Sequence, residues 1–384
     1  MRGIHTTASI AVAGVASAAL LAVSAVPAFA VSATPKSCAQ TNGRVTSIAI
    51  DGARTFIAGN FTSVTDPNGV SRPRARLAAI DTDTCAVLSW NASANAEVEA
   101  LRVDGGTLYA GGTFTTINGV TRNRLAALST SDASLLSFNP NMNRTVRALT
   151  STGNTLFAGG DFTAVGATTR KKLAAFSLSS GDLVTGWKPA ASGNVMTLTV
   201  SPNGDRVYVG GNFTSLAGSS SAPYLGAVRS SDGTLDRAFL PGTPWPVISV
   251  AADSRGVYVG GGGSGGHLGI WELDGSLRRI YQTDGGVQAV VVDGDSLYGG
   301  GHFTNYCVGD TGSGSPFLCT NNLPRRKIFE IDLTTGDFTN WSPTLNSAHG
   351  VFALAIEPDT HDLWAGGDFT KVGTKTVGHL AVFP

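Results

Sequence analysis

The chain has 384 residues, 49 of them glycine, with 27 basic and 27 acidic side chains and no formal net charge at neutral pH. A sparse and balanced charge excludes a nucleic-acid surface built on bulk basicity, and so much glycine with few helix-favouring stretches excludes a mostly helical protein. An all-β chain rich in turns remains, long enough for one large domain or two ordinary ones.

The first thirty residues, "MRGIHTTASIAVAGVASAALLAVSAVPAFA", combine an early Arg2, a small-residue apolar core and an Ala28-Phe29-Ala30 ending. That pattern predicts a secretory signal cleaved after about Ala30, leaving a secreted, extracellular domain over 31–384 with no membrane span. Four cysteines suit an exported protein, where disulfides persist. Cys307 and Cys319 bracket "CVGDTGSGSPFLC" as a local staple, which leaves Cys38 to pair with Cys85. No Cys-x-x-Cys pair supports zinc, so no metal is expected.

From Arg44 onward the chain repeats. "TFIAGNFT" (55–62), "LYAGGTFT" (108–115), "LFAGGDFT" (156–163), "VYVGGNFT" (207–214), the degraded "VYVGGGGS" (257–264), "LYGGGHFT" (297–304) and "LWAGGDFT" (363–370) mark seven copies. Their units run over about 44–93, 94–142, 143–192, 193–244, 245–284, 285–346 and 347–384. A period near fifty residues signals an array of supersecondary units. Each unit offers an alternating run such as "TVRALTSTG", then the Gly-Gly run, then an apolar run such as "KLAAFSLSSGD". It closes with an aromatic and usually a proline, as in "LSFNP" or "TGWKP". Such short runs between turn residues read as strands, and four per unit predict a seven-bladed β-propeller of four-stranded blades. The last unit stops at "HLAVFP", short of a fourth strand. Residues 31–43 stand ahead of the first strand of the first unit, so the segment around Lys36–Gln40 is expected to complete the last blade and close the ring.

The stretch "TFTTINGVTRNRLAALSTSDASLLSFNPNMNRTVRAL" resembles the delta-60 repeat of exported bacterial proteins. The shared pattern is Gly-Gly-x-Phe-Thr, then Arg-x-x-Leu-Ala-Ala, then aromatic-x-Pro, and it covers nearly all of 31–384. The resemblance implies the propeller fold. It implies no particular activity, and it brings no catalytic residues.

The repeated residues read as architecture. Paired glycines permit a bulge or a close approach, and no helix follows them to make a phosphate cradle. The residue after them varies (Asn60, Thr113, Asp161, Asn212, His302, Asp368), as a turn-bonding position would and a catalytic one would not. Trp90, Phe138, Trp187, Phe239, Tyr281 and Trp341 are expected to pack between blades. Trp245, in "PGTPWPV", falls outside the pattern and is expected in an exposed loop. Charge is uneven within the units. First and third turns carry aspartates, such as Asp104, Asp132 and Asp253. Second turns carry cations: Arg72, Arg74, Arg76, Arg122, Arg124, Arg170, Lys171, Lys172, Arg325, Arg326 and Lys327. Such a rim would steer an anionic partner.

No His-Glu-x-x-His pair occurs, and no catalytic residue and no cofactor is assigned. The reading is a binding module at or outside the cell surface, for a cell-wall polymer, a glycan or another surface protein. The competing readings are an extracellular carbohydrate-active enzyme and a structural surface protein. The inserted segment Asn305–Asn322 is the most individual feature of the chain.

Overall fold

The alternation in "TVRALTSTG" becomes strand Val146–Thr152 in the computed structural model, which describes residues 31–307 and 322–384. Gly153, at φ 53°, turns the chain at the first central position of a two-residue hairpin, where a type II′ turn needs glycine. The chain returns as Thr155–Gly160 and then as Leu173–Ser177, antiparallel and in sequence order. The first repeat does the same with Val45–Asp51, Arg54–Gly59 and Leu77–Asp81. The last does so with Val351–Ile356, Leu363–Gly367 and Leu380–Phe383. The described residues contain no helix.

Fourth strands are slighter than expected. Single bridges such as Ile80–Val87 and Phe176–Leu183 stand in for them in the first four repeats. A full strand, Leu277–Thr283, forms in the fifth repeat, whose closing segment has no proline. Aromatic-x-Pro endings remove a backbone donor in the second, third, fourth and sixth repeats, but the first, ending Trp90-Asn91-Ala92, also stops at a single bridge without a proline.

The two glycines of each pair do different work. Opposite them the ladder between first and second strands slips by one residue in every repeat, as between Val146 and Ala148. A Cβ on the second glycine would meet backbone: 2.2 Å from Thr145 O at Gly160, and 2.3 Å from Glu97 O at Gly112. A Cβ on the first glycine would meet a valine of the next repeat: 2.5 Å from Val195 at Gly159, and 2.7 Å from Val146 at Gly111. At Gly366, in the last repeat, the valine is Val45 of the first, at 2.6 Å. One glycine makes room for the bulge and the other seats the neighbouring sheet.

First strands of successive repeats lie side by side, and Val45–Asp51 also lies against Val351–Ile356. The buried clusters bridge neighbours. One joins Phe56 and Trp90 to Val98 and Leu108, and another joins Trp364 and Val382 to Val45, Ile57 and Cys38. Closing aromatics pack on the third turn of the following repeat. A Cβ on Gly181 would be 3.3 Å from Phe138, one on Gly233 3.3 Å from Trp187, and Tyr281 Oη donates to Gly336 O at 2.7 Å.

The N-terminal segment fits this series. Lys36 N donates to Val382 O at 2.8 Å, as Leu88 N does to Ala79 O and Leu136 N to Ala127 O, both at 2.9 Å. Two residues on from Leu88 and Leu136 stand Trp90 and Phe138, and two on from Lys36 stands Cys38. Cys38 forms a disulfide with Cys85, whose left-handed φ of 60° marks the same third-turn position as Gly181 and Gly233. Gln40–Thr41 then pairs with the second-turn hairpin at Val64 and Thr65. Cys307 is buried at the end of Asn305–Cys307, and Cys319, its expected partner, lies outside the described residues.

Candidate binding site

Most of the second-turn cations are already engaged. Arg74, Arg122, Arg170 and Arg325 form one series, each reaching back to a carbonyl in the closing segment of its own repeat. Their guanidiniums donate to Leu88 O at 2.8 Å, Leu136 O at 2.9 Å, Thr185 O at 3.1 Å and Thr339 O at 3.0 Å. Two residues later, Arg76, Arg124, Lys172 and Lys327 adopt left-handed φ. Their side chains cap carbonyls at Ala94, Thr113, Asp161 and His302. Burial pushes Lys327 and Arg325 below their ordinary pKa values. Arg72 pairs with Asp66 at 3.0 Å, while Lys171 and Arg326 are exposed. The turn aspartates are engaged too: Asp132 and Asp232 accept from the backbone N–H groups of Ser134 and Thr234, which holds both below the usual carboxylate range. Arg170→Met should cost about 1–3 kcal/mol in urea unfolding, because a buried guanidinium loses its charged bond to Thr185 O. It should leave any salt-dependent binding to an anionic polymer unchanged.

Trp245 is not the exposed loop residue expected from its prolines. It is 7% exposed and stacks on His267 at 4.2 Å, close to Trp271. The fifth repeat lacks the Phe-Thr of its sisters, and Trp245 packs over the "GGGGSGG" run instead, 2.4 Å from where a Gly261 Cβ would lie. Trp90, Trp187, Phe239, Tyr281 and Trp341 are also buried, and Phe138 is half-buried.

A cavity of about 560 Å³ is lined by the first strands of all seven repeats, at the end where those strands begin. The residue that each bulge pushes out of register is Thr46, Glu99, Arg147, Met196, Ile248, Gln288 or Phe352, in repeat order. All seven line the cavity. The bulge therefore re-aims one side chain per repeat into a shared space.

Its walls differ in character. Along one arc Arg44 holds Glu97 with two hydrogen bonds, at 3.0 and 3.2 Å. Next to it Arg147 donates to Glu99 at 2.7 Å and to Asp161 at 2.7 Å. Burial holds the Glu99 carboxyl above the usual carboxylate range, against the pull of Arg147. The hydrogen bonds to Glu97 and Asp161 raise the two guanidiniums. Asp161, expected to serve only its turn, thus holds an arginine that lines the cavity. The other arc carries Met196, Ile248 and Phe352, all half-buried, with Arg44 over the Phe352 ring at 5.7 Å.

Solved structures share this architecture. The computationally designed Ika8 protein aligns at a TM-score of 0.56 with 13% identity, over 91% of this chain and 99% of that one. The WD40 β-propeller domain of Doa1 aligns at 0.59 with 11% identity, over 91% and 96%. The fold is a β-propeller. No family model matches the chain, and no curated protein matches it.

Sequence reasoning passed over this propeller's cavity ring, although a signal was present. The seven first strands read "VTSI", "VEAL", "VRAL", "VMTL", "VISV", "VQAV" and "VFAL". A constant valine precedes a position that takes seven different residues. The valine is the one seated against the preceding glycine, so the scaffold is repeated while the lining is not. Among the described residues no group of three or more His, Cys, Asp or Glu could hold a metal ion.

Proposed function

We propose that the protein is an exported β-propeller of the delta-60 type, with seven blades and a ring closed by its own N-terminal segment. We further propose that it works as a binding module for a glycan at or outside the cell surface. The signal-like residues 1–30 and the Cys38–Cys85 disulfide support export. The approach of Gly366 to Val45 and the bond from Lys36 to Val382 support closure.

The observation that carries the binding reading is the ring of bulged residues. Scaffold positions recur from repeat to repeat, whereas the position facing the cavity carries a different side chain in each, as recognition of one asymmetric ligand demands. The cavity falls in the size range of small-molecule sites. Charged hydrogen-bonding groups on one arc and apolar groups on the other suit a sugar, which has hydroxyl edges and C–H faces. The repeated second-turn arginines lend this reading little, because carbonyls already occupy them.

On a glycan array the protein should show a signal that falls at least tenfold with Arg147→Ala or Phe352→Ala. Binding that survives both variants but vanishes on deleting 308–321 would move the site to the insertion. The absence of any glycan signal would remove the reading. A carbohydrate-active enzyme is the second reading, favoured by one observation: Glu99, shifted upward by burial, lies near Glu97 and Asp161, as an acid catalyst would near a partner carboxylate. Chain shortening of a bound oligosaccharide, abolished by Glu99→Gln, would be its mark.

A further inference from the structure

Toward the end where the first strands finish lies a second cavity, of about 400 Å³. The second repeat lines it with Arg102, the third with Thr150, Ser151 and Thr152, and the fourth with Thr199–Gly204. Pairing with the second strands puts the seven repeats in register. At the last position before the first turn, five of them place a carboxylate: Asp51, Asp104, Asp253, Asp293 and Glu357. The third and fourth place Thr152 and Ser201 there. Two residues earlier the series is Ala49, Arg102, Thr150, Thr199, Ala251, Val291 and Ala355, so polar side chains occur only where the cavity lies. The lining holds one charge, that of Arg102, and no acid. Ser151 Oγ accepts from Arg102 Nε at 2.9 Å and donates to Asp104 at 2.6 Å. Those bonds orient the guanidinium and engage Asp104, which stands outside the lining. Asp205, also outside it, accepts from Ser201 Oγ at 2.9 Å. The turn Ser201–Asp205 folds over the third repeat, where a Cβ on Gly204 would lie 2.7 Å from Thr152 Oγ1. Among the described residues Nη1 and Nη2 of Arg102 have no partner. Neither does the hydroxyl of Thr150, although that residue is only 7% exposed and lines the cavity.

We propose that this second cavity binds the phosphate group of a small phosphate ester, held by the Nη1–Nη2 edge of Arg102 and the hydroxyl of Thr150. The open edge of a guanidinium matches two oxygens of an oxyanion, and the bond is charge-assisted. The Thr150 hydroxyl donates to a third oxygen, which a tetrahedral phosphate offers and a carboxylate lacks. Carboxylates elsewhere in the series would repel such a group, and their replacement by Thr152 and Ser201 removes that cost here. The volume lies in the range of small-molecule sites and leaves room for the rest of an ester. This site shares no lining residue with the larger cavity, so it stands independently of the glycan reading.

The experiment is calorimetry on the full mature chain at about pH 8, where a phosphate monoester is a dianion. Three probes are titrated: glycerol 3-phosphate, inorganic phosphate, and glycerate as the carboxylate counterpart. Glycerol 3-phosphate should bind at least about fivefold more tightly than either of the others, and more weakly as salt rises. Arg102→Gln should weaken it at least about tenfold, the loss of a charged hydrogen-bonding group. Thr150→Val, nearly the same shape, should weaken it about threefold or more, and it carries the test if Arg102→Gln fails to fold. Lys171→Gln, on an exposed second turn, should leave the affinity unchanged. Equal or tighter binding of glycerate overturns the phosphate assignment, and equal or tighter binding of inorganic phosphate overturns the ester. Binding that survives both Arg102→Gln and Thr150→Val places the anion elsewhere and overturns the site. No binding of any probe at millimolar concentration overturns the proposal outright.

Discussion

Replacing Cys38 and Cys85 together by serine is expected to destabilise the protein by about 2–4 kcal/mol, read from guanidinium unfolding. The bridge spans 47 residues, so its loss frees a long loop in the unfolded chain. It also ties the N-terminal segment, which lies against the last repeat, to the first repeat. At other junctions a closing aromatic rests on the third turn of the next repeat, as Phe138 does on Gly181 and Trp187 on Gly233. Where the two ends of the chain meet, the disulfide takes that place. Deleting residues 31–41 should cost more than the double serine change. It also removes the bonds from Ser32 to Pro384 and from Lys36 to Val382, the ion pair of Lys36 with Asp362, and the pairing of Gln40–Thr41. A double serine variant as stable as the parent would show that the termini hold without the covalent clasp.

Gly160→Ala should cost about 3 kcal/mol or more, while Gly159→Ala costs about 1–2 kcal/mol. At Gly160 the added carbon would lie 2.2 Å from a backbone oxygen that the ladder fixes in place. At Gly159 it would lie 2.5 Å from a valine side chain in the next sheet, which has some freedom to move. The first repeat already carries Ala58 at the Gly159 position, fully buried. Urea unfolding of the two variants decides the matter, and equal losses would remove the distinction between the glycines. Flattening the bulge should also swing Arg147 out of the cavity, so a folded Gly160→Ala protein should lose ligand affinity in proportion.

"TLFAGGDFTAVG" carried much of this fold in plain view. A short apolar run marks Thr155–Gly160 as a strand buried on both faces, Gly153 sets the hairpin before it, and the glycine pair announces a bulge. Those features depend on neighbours within a few residues, and periodicity within the chain exposes them. Fourth strands were harder, because the first repeat stops at a single bridge and the fifth runs on as a full strand although neither closes with a proline.

By itself the sequence determined the class of fold, the repeat, the strands, the role of the glycines and the pairing of Cys38 with Cys85. The tertiary structure alone decided where the charges went. Arg44 meets Glu97, and Arg147 meets Glu99, across separations of 53 and 48 residues. The second-turn arginines turned inward to carbonyls about fourteen residues further along. Trp245 folded onto His267 because a degraded repeat left room for a ring. The physical reason is the same in each case. Strand periodicity is set locally by which side of the backbone meets water, whereas the partner of a long polar side chain depends on which strands the fold brings alongside it. Asp161 began as one polar residue in a variable place, and only the folded sheet set it against Arg147, which lines the cavity.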